Sequence, residues 1–211
     1  MKVTLLASTP NATKVVATAA WICTHANFPT EANLHPDKCG PLVQRVIGYG
    51  HESILEHASF TFAIEGISRV CSHQLVRYRI ASYSQQSQRY VKTGKVLSVV
   101  LPKSILDAGW ERSVLRHHDE TSELYAALIA AGIPTEDARF VLPNASETKL
   151  VMTMNARELR HFFAQRCCAK AQWEIRELAT EIYLQCKAKE PVLFVGCGPD
   201  CKNCKEKEPC K

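Results

Sequence analysis

No apolar run in the 211-residue chain approaches the ~18 residues that a membrane-spanning helix requires. The first ten residues carry one Lys and a short apolar stretch cut by Thr4, Ser8, Thr9 and Pro10, too short for the core of a secretory leader. The expected location is therefore the cytoplasm. No internal repeat is present. A strong charge of one sign is also missing: Lys and Arg outnumber Asp and Glu by only five. That excess suits an enzyme of phosphorylated substrates. It is too small and too dispersed to argue for nucleic acid by itself.

What is present is ordinary globular composition, 46% apolar and 22% charged, which excludes disorder, collagen-like repeats and coiled coil. The length fits one domain, or at most two small ones, and is enough to bury about 70% of the unfolded surface. Ten cysteines are many for disulfides in a reducing compartment. Six are scattered (Cys23, Cys39, Cys71, Cys167, Cys168, Cys186), and Cys197, Cys201, Cys204 and Cys210 crowd the last fifteen residues.

Periodicity predicts a strand over 2–6, a helix from Pro10 to about His25 with Thr9 as its cap, and a helix over 36–47 stopped by Gly48 and Gly50. His57–Glu65 alternates as a half-buried strand. Ser68–Arg79 shifts to helical spacing, so that Arg69, His73 and Arg77 share a face. Ala81–Tyr90, rich in Ser and Gln, reads as a loop. Further expectations are a strand over 96–101, a long helix over 104–131, a short helix over 134–140 and a strand over 150–154. A long helix then runs from the N-cap Asn155 to about Ala188 and ends at Pro191. Strands mixed with long helices, without regular βα alternation, imply an α+β fold.

The segment SRVCSHQLVRYRIASYSQQSQRY, residues 68–90, places Arg69, Arg77, Arg79 and Arg89 beside a Ser/Gln-rich stretch. A guanidinium fork matches pairs of phosphate or carboxylate oxygens, and neutral amides and hydroxyls suit a base edge or a sugar. A solvated basic face is the plainer alternative. Arg77-x-Arg79, seven residues, then Ser87 resembles the signature of the flavin-dependent thymidylate synthases. His51-Glu52-Ser53, Glu56-His57, the Phe60-Thr61-Phe62 strand, Gln74, Ser82-Tyr83 and Arg89-Tyr90 agree with that family. So do Asn155-Ala156-Arg157-Glu158-Leu159-Arg160-His161-Phe162-Phe163, Arg166 and Ala171-Gln172-Trp173-Glu174. The likeness runs from about residue 50 to about residue 190. One departure stands at Tyr78, where the family usually has His; a phenol can stack, fill an apolar slot or donate, but it carries no proton near neutral pH as imidazole does.

The resemblance implies a domain over residues 1–195 with a mainly antiparallel sheet flanked by long helices, followed by a Cys/Lys-rich tail over 196–211. It implies a homotetramer with shared active sites. The implied reaction moves a one-carbon unit from 5,10-methylenetetrahydrofolate to dUMP and reduces it to the methyl of dTMP, with NADPH as reductant through FAD. Carried over residue by residue, Ser53, Arg77, Tyr78, Arg79, Gln85, Asn155, Arg157 and His161 become FAD contacts. Gln74, Leu75, Val76, Arg77, Gln85, Gln86, Ser87, Gln88, Arg89, Arg139 and Arg166 become dUMP contacts, with Arg89 and Arg139 as the phosphate partners. Asn155 and Arg166 are eleven residues apart, about three helical turns, and return to one face. Arg166 is the expected catalytic residue, facing the uracil and favouring its ionised form; the alternative pairs it with a helix carboxylate such as Glu174.

No scattered cysteine sits in a motif that activates a thiolate, and Cys167-Cys168 read as packing residues. Ser87 lacks an adjacent base and reads as a nucleotide ligand. Of the histidines near the motif, His51, His57 and His73, the first to test is His51; His25, His35, His117 and His118 read as surface or packing residues. The tail cysteines admit a zinc or iron–sulfur loop, a redox-labile tail, or disulfides formed after purification, and no metal is assigned. A rival from another class is a non-catalytic nucleic-acid-binding protein using the basic helix and the tail. Against it, clustered Lys/Arg with exposed aromatics are missing.

Overall fold

Two stretches alternate large apolar with small or polar side chains. In Ser59–Ser68, Phe60, Phe62 and Ile64 are fully buried; in Glu147–Asn155, Thr148, Leu150, Met152 and Met154 are buried between more exposed neighbours. The computed structural model describes residues 1–91 and 98–199. Among them the strands β1 (Lys2–Ser8), β2 (Ser59–Ser68), β3 (Ala81–Gln85) and β4 (Glu147–Asn155) form an antiparallel sheet in the order β1-β2-β4-β3. The two alternating stretches are therefore its central pair. The helices are α1 (Ala12–Ile22), α2 (Pro36–Gly48), α3 (Arg69–Leu75), α4 (Lys103–Asp107), α5 (Glu111–Ala130), α6 (Thr135–Ala138), α7 (Ala156–Arg166) and α8 (Trp173–Lys189). Single 3-10 turns cover Glu52–His57, Arg139–Val141 and Pro191–Phe194. The fold is α+β, as expected.

By its internal contacts the chain divides into two compact units. One comprises residues 1–2, 64–77 and 84–150; the other comprises 3–63, 78–83 and 151 onward. In the second unit Phe60, Phe163, Phe194 and Tyr183 form an edge-to-face aromatic cluster with centroids 5.4 to 5.8 Å apart, and Leu178, Ile182 and Cys186 of α8 are buried. In the first unit α5 buries His118, Thr121, Ser122 and Tyr125 at helical spacing. The hydroxyls of Thr121 and Ser122 are satisfied locally, on the carbonyls of His117 and His118.

Several expectations need correction. The long helix over 104–131 is two helices, α4 and α5, separated at Gly109, whose φ of 75° favours a residue without a Cβ. The helix expected over 155–188 is likewise two. The chain turns after Arg166 and restarts at Gln172, whose side chain accepts from the backbone N–H groups of Glu174 and Ile175 at 3.0 and 3.1 Å. The helix over 68–79 ends at Leu75, so Arg77 leaves the face shared by Arg69 and His73. Ala81–Gln85 is a strand, not a loop: β3 is the last strand in the sheet order, and an edge accommodates Ser and Gln. Thr9 is not the cap of α1. Asn11 occupies that position at φ 50°, and the Thr9 hydroxyl accepts from the Ser59 N–H. His57 belongs to a 3-10 turn, and β2 starts at Ser59. Of the strand expected over 96–101, residues 96–97 lie outside the described residues, and the rest shows an isolated bridge from Val99 to Ser146.

Candidate active site

In the second unit α7 displays a polar face at its start and a cation at its end. Asn155 caps the helix, its side-chain oxygen accepting from Glu158 N–H at 2.9 Å. Arg157, one position into the helix, pairs with Glu56 at 2.5 Å from the 3-10 turn that also presents the exposed Ser53. That hydrogen bond raises the guanidinium pKa. His161 is exposed, and Arg79 is exposed without an ion pair among the described residues.

At the end of α7, Arg166 is half-buried. Its Nε donates to the Tyr78 hydroxyl at 2.8 Å, and its guanidinium carbon lies 5.6 Å from the centre of that ring. Among the described residues it has no carboxylate partner, so the alternative pairing with Glu174 is absent. Tyr78 is 5% exposed and packs edge-on against Phe162 and His161 at 5.0 and 5.9 Å. Its hydroxyl donates to Gln165 Oε1 at 2.7 Å, and Gln165 Nε2 stands 3.1 Å from His161 Nε2. Burial raises the Tyr78 pKa, against the lowering influence of Arg166. Tyr83, whose hydroxyl donates to the Tyr78 carbonyl, is raised by burial and by Glu158 and Tyr78 nearby. Tyr78 thus fills the apolar slot and spends its hydroxyl inside the protein.

In the first unit Gln85 is anchored. Its Nε2 donates to the hydroxyls of Ser72 and Thr148 at 3.0 and 3.1 Å. Gln86 donates its backbone N–H to the Lys149 carbonyl, and the Ser87 hydroxyl accepts from Arg89 N–H. Arg89 pairs with Glu136, and Arg139 Nε donates to the Glu136 carbonyl at 3.0 Å, so one acidic residue gathers both expected phosphate partners. Burial, and then the charge of Arg139, lower the Arg69 pKa, which marks a second cation nearby. Gln74 and Gln88 are half-buried and Val76 and Arg77 exposed, whereas the Leu75 side chain is fully buried and offers a ligand only its backbone.

Gln165, Glu136 and Thr148 were not anticipated, and Glu56 and Ser72 stood in the motif segments without a role at the site. Gln165 and Glu136 precede a candidate residue or share its helical turn, which is the signal that was there to read. Burial raises the Cys167 thiol to about 12 and pushes Cys39, Cys186 and Cys197 upward as well. Among the described residues no group of three His, Cys, Asp or Glu side chains is placed to hold a metal, and no helix is long and apolar enough to cross a membrane. Cys201, Cys204 and Cys210 lie outside the described residues.

The profile of the thymidylate synthase complementing protein family matches residues 4–192. A flavin-dependent thymidylate synthase of Geobacter sulfurreducens is 49% identical over 206 residues, covering 95% of this chain and 88% of its own. Enzymes of the same name from Clostridium tetani (45% identity, 96% and 89% covered) and Pyrococcus abyssi (43%, 95% and 86%) are similar too. The crystal structure of a UMP/dUMP methylase, PolB, from Streptomyces cacaoi, bound with 5-Br dUMP, aligns with a TM-score of 0.77 at 25% identity over 91% of this chain and 92% of that one. On this likeness in sequence and fold, the chain belongs to the thymidylate synthase complementing protein family, a family of flavin-dependent methyltransferase enzymes.

Proposed function

We propose that this protein converts dUMP to dTMP by reductive methylation, with 5,10-methylenetetrahydrofolate as one-carbon donor and NADPH as reductant through FAD. It does so without a cysteine nucleophile, as a cytoplasmic homotetramer with shared active sites. The catalytic domain spans 1–195, with a tail over 196–211. The observation that carries this reading is Arg166: a half-buried cation, held through Nε by Tyr78 and without a carboxylate partner among the described residues. A fixed cation beside a uracil favours negative charge on the base and raises electron density at carbon 5. Effects of this kind are worth on the order of 3 kcal/mol.

The raised thiols argue the same way, since a thiol kept protonated is a poor nucleophile. Arg89 and Arg139, gathered at Glu136, supply the charge for the nucleotide phosphate, and Gln85 to Gln88 the neutral groups for base and sugar. Leu75, Val76 and Gln74 bound that nucleotide site, with Arg77 common to both ligands. The residues also fit FAD: Arg77 and Arg79 are exposed guanidiniums without ion pairs among the described residues, a donor set suited to a diphosphate. Ser53, Asn155, Arg157, His161, Gln85 and the backbone of Tyr78 complete its contacts. FAD, when bound, supplies the reducing equivalents drawn from NADPH.

The test is the visible spectrum of the purified protein with FAD, followed by anaerobic NADPH with and without dUMP, then assay of dTMP. A flavin spectrum that bleaches, with dUMP altering the rate, and dTMP formation are the expected results. No flavin uptake with FAD in excess, together with salt-sensitive polynucleotide binding, would overturn the reading in favour of a nucleic-acid-binding protein.

A further inference from the structure

Arg166 is a permanent donor, and that fixes the direction of a hydrogen-bond chain. Its Nε–H occupies a lone pair of the Tyr78 hydroxyl at 2.8 Å. The hydroxyl must then send its one proton elsewhere, and Gln165 Oε1 receives it at 2.7 Å. With the amide oxygen so placed, Gln165 Nε2 faces His161 Nε2 at 3.1 Å and donates to its lone pair. The chain runs one way, Arg166 to Tyr78 to Gln165 to His161, and three of its members stand on α7 at positions 161, 165 and 166. Tyr78 is the exception, brought in from outside the helix. Its ring is clamped edge-on by Phe162, so the hydroxyl position is set by core packing and not by a solvated side chain.

Resting on the reading of Arg166 above, we infer that Tyr78, standing where the family usually has His, is the positioning residue of the catalytic arginine. Its hydroxyl holds Nε and fixes the guanidinium plane, leaving the two terminal nitrogens to face the uracil. Gln165 orients the hydroxyl. A bare guanidinium on three methylenes samples many rotamers, and an acceptor on Nε removes most of that freedom before substrate arrives. The bond contributes to the reaction through the orientation of Arg166, since the Tyr78 hydroxyl is buried and spent on Arg166 and Gln165.

The inference is tested on the FAD-loaded enzyme with Tyr78→Phe, which keeps the ring and removes the acceptor. Flavin content and dUMP KM should hold within about threefold, while kcat falls at least about tenfold. The second readout is the ionisation of bound 5-bromo-dUMP, followed by ultraviolet difference spectra. A misaimed Arg166 favours the anion less, so its apparent pKa should rise in the variant. Merely structural damage would lower flavin content and melting temperature together and leave that pKa in place. Should Tyr78→Phe not fold, Gln165→Met removes the exposed end of the clamp and should give the same changes in smaller measure. An active parent whose variants keep both kcat and the nucleotide pKa overturns the role of Tyr78 alone. A parent that neither binds 5-bromo-dUMP nor forms dTMP overturns the proposed function, and this inference with it.

Discussion

Arg89 meets Glu136 through two nitrogens, Nε at 2.9 Å and Nη2 at 2.7 Å, and both bonds end on the single oxygen Oε2. This is not the fork-to-fork geometry in which two parallel bonds use two carboxylate oxygens. A phosphate offering two oxygens fits the guanidinium better than Glu136 does. The pair is about half exposed, which limits its contribution to stability to roughly 0–1 kcal/mol. Arg89→Ala should therefore shift the melting temperature by no more than about 4 °C. The dUMP KM should rise at least about tenfold, because charge-assisted bonds to the phosphate are lost. Glu136→Gln should lower that KM at low ionic strength and lose the advantage as salt is added, since it removes a competing negative charge. A KM insensitive to both changes would remove Arg89 from the phosphate site.

Cys167 yields a pH prediction. Burial pushes its thiol up to about 12 from an ordinary value of 9.0. Between these values the folded protein keeps a proton that the unfolded chain releases. Stability from this group is complete below about pH 9 and is lost as pH rises toward 12. Melting temperature should fall across pH 9 to 11 in the parent, and less steeply in Cys167→Ser. The same variant should keep kcat within about threefold, as expected of a packing residue. A collapse of kcat with flavin and nucleotide binding intact would mean the thiol takes part in the chemistry.

Gly66 lies within β2 at a φ of 71°, and a Cβ there would lie 3.2 Å from the Met1 Cα, a backbone atom. Gly66→Ala should cost about 1–2 kcal/mol from the left-handed conformation alone. That corresponds to a fall in melting temperature of roughly 3–8 °C, measured by calorimetry with activity assayed well below the transition.

How far the sequence could be read depended on the range of the forces involved. The alternation in 59–68 and the Asn155 cap are local, and both are legible. The breaks at Gly109 and Gln172 are local too, but their signals are weak: a Gly after Asp-Ala, and a Gln doing a capping task more common for Ser or Asp. The end of α3 at Leu75 was not legible, because Tyr78 is claimed by Phe162, Gln165 and Arg166, eighty or more residues away in sequence. For the same reason the Arg residues of the motif were visible while the roles of Glu56 and Glu136 as partners of Arg157 and Arg89, and of Gln165 as the partner of Tyr78, were not. A family signature carries ligand-facing residues, whereas the groups that aim them depend on tertiary contact.

Asn155 allows its two tasks to be separated. Its side-chain oxygen is committed to the N–H of Glu158, so only its NH2 group remains for a ligand. Asn155→Ala removes both, at about 1 kcal/mol for the lost cap and roughly 2–4 °C in melting temperature. Asn155→Asp keeps the capping oxygen and adds a negative charge that the helix N-terminus favours, so stability should match or exceed the parent. It also replaces the donor with an anion beside residues expected to hold the FAD diphosphate. FAD affinity, measured by titrating the stripped protein and following flavin fluorescence, should then fall at least about tenfold, although the fold is undamaged. An Asp variant that binds FAD like the parent would confine Asn155 to capping. One that loses both stability and FAD would mean that the cap oxygen does not face Glu158.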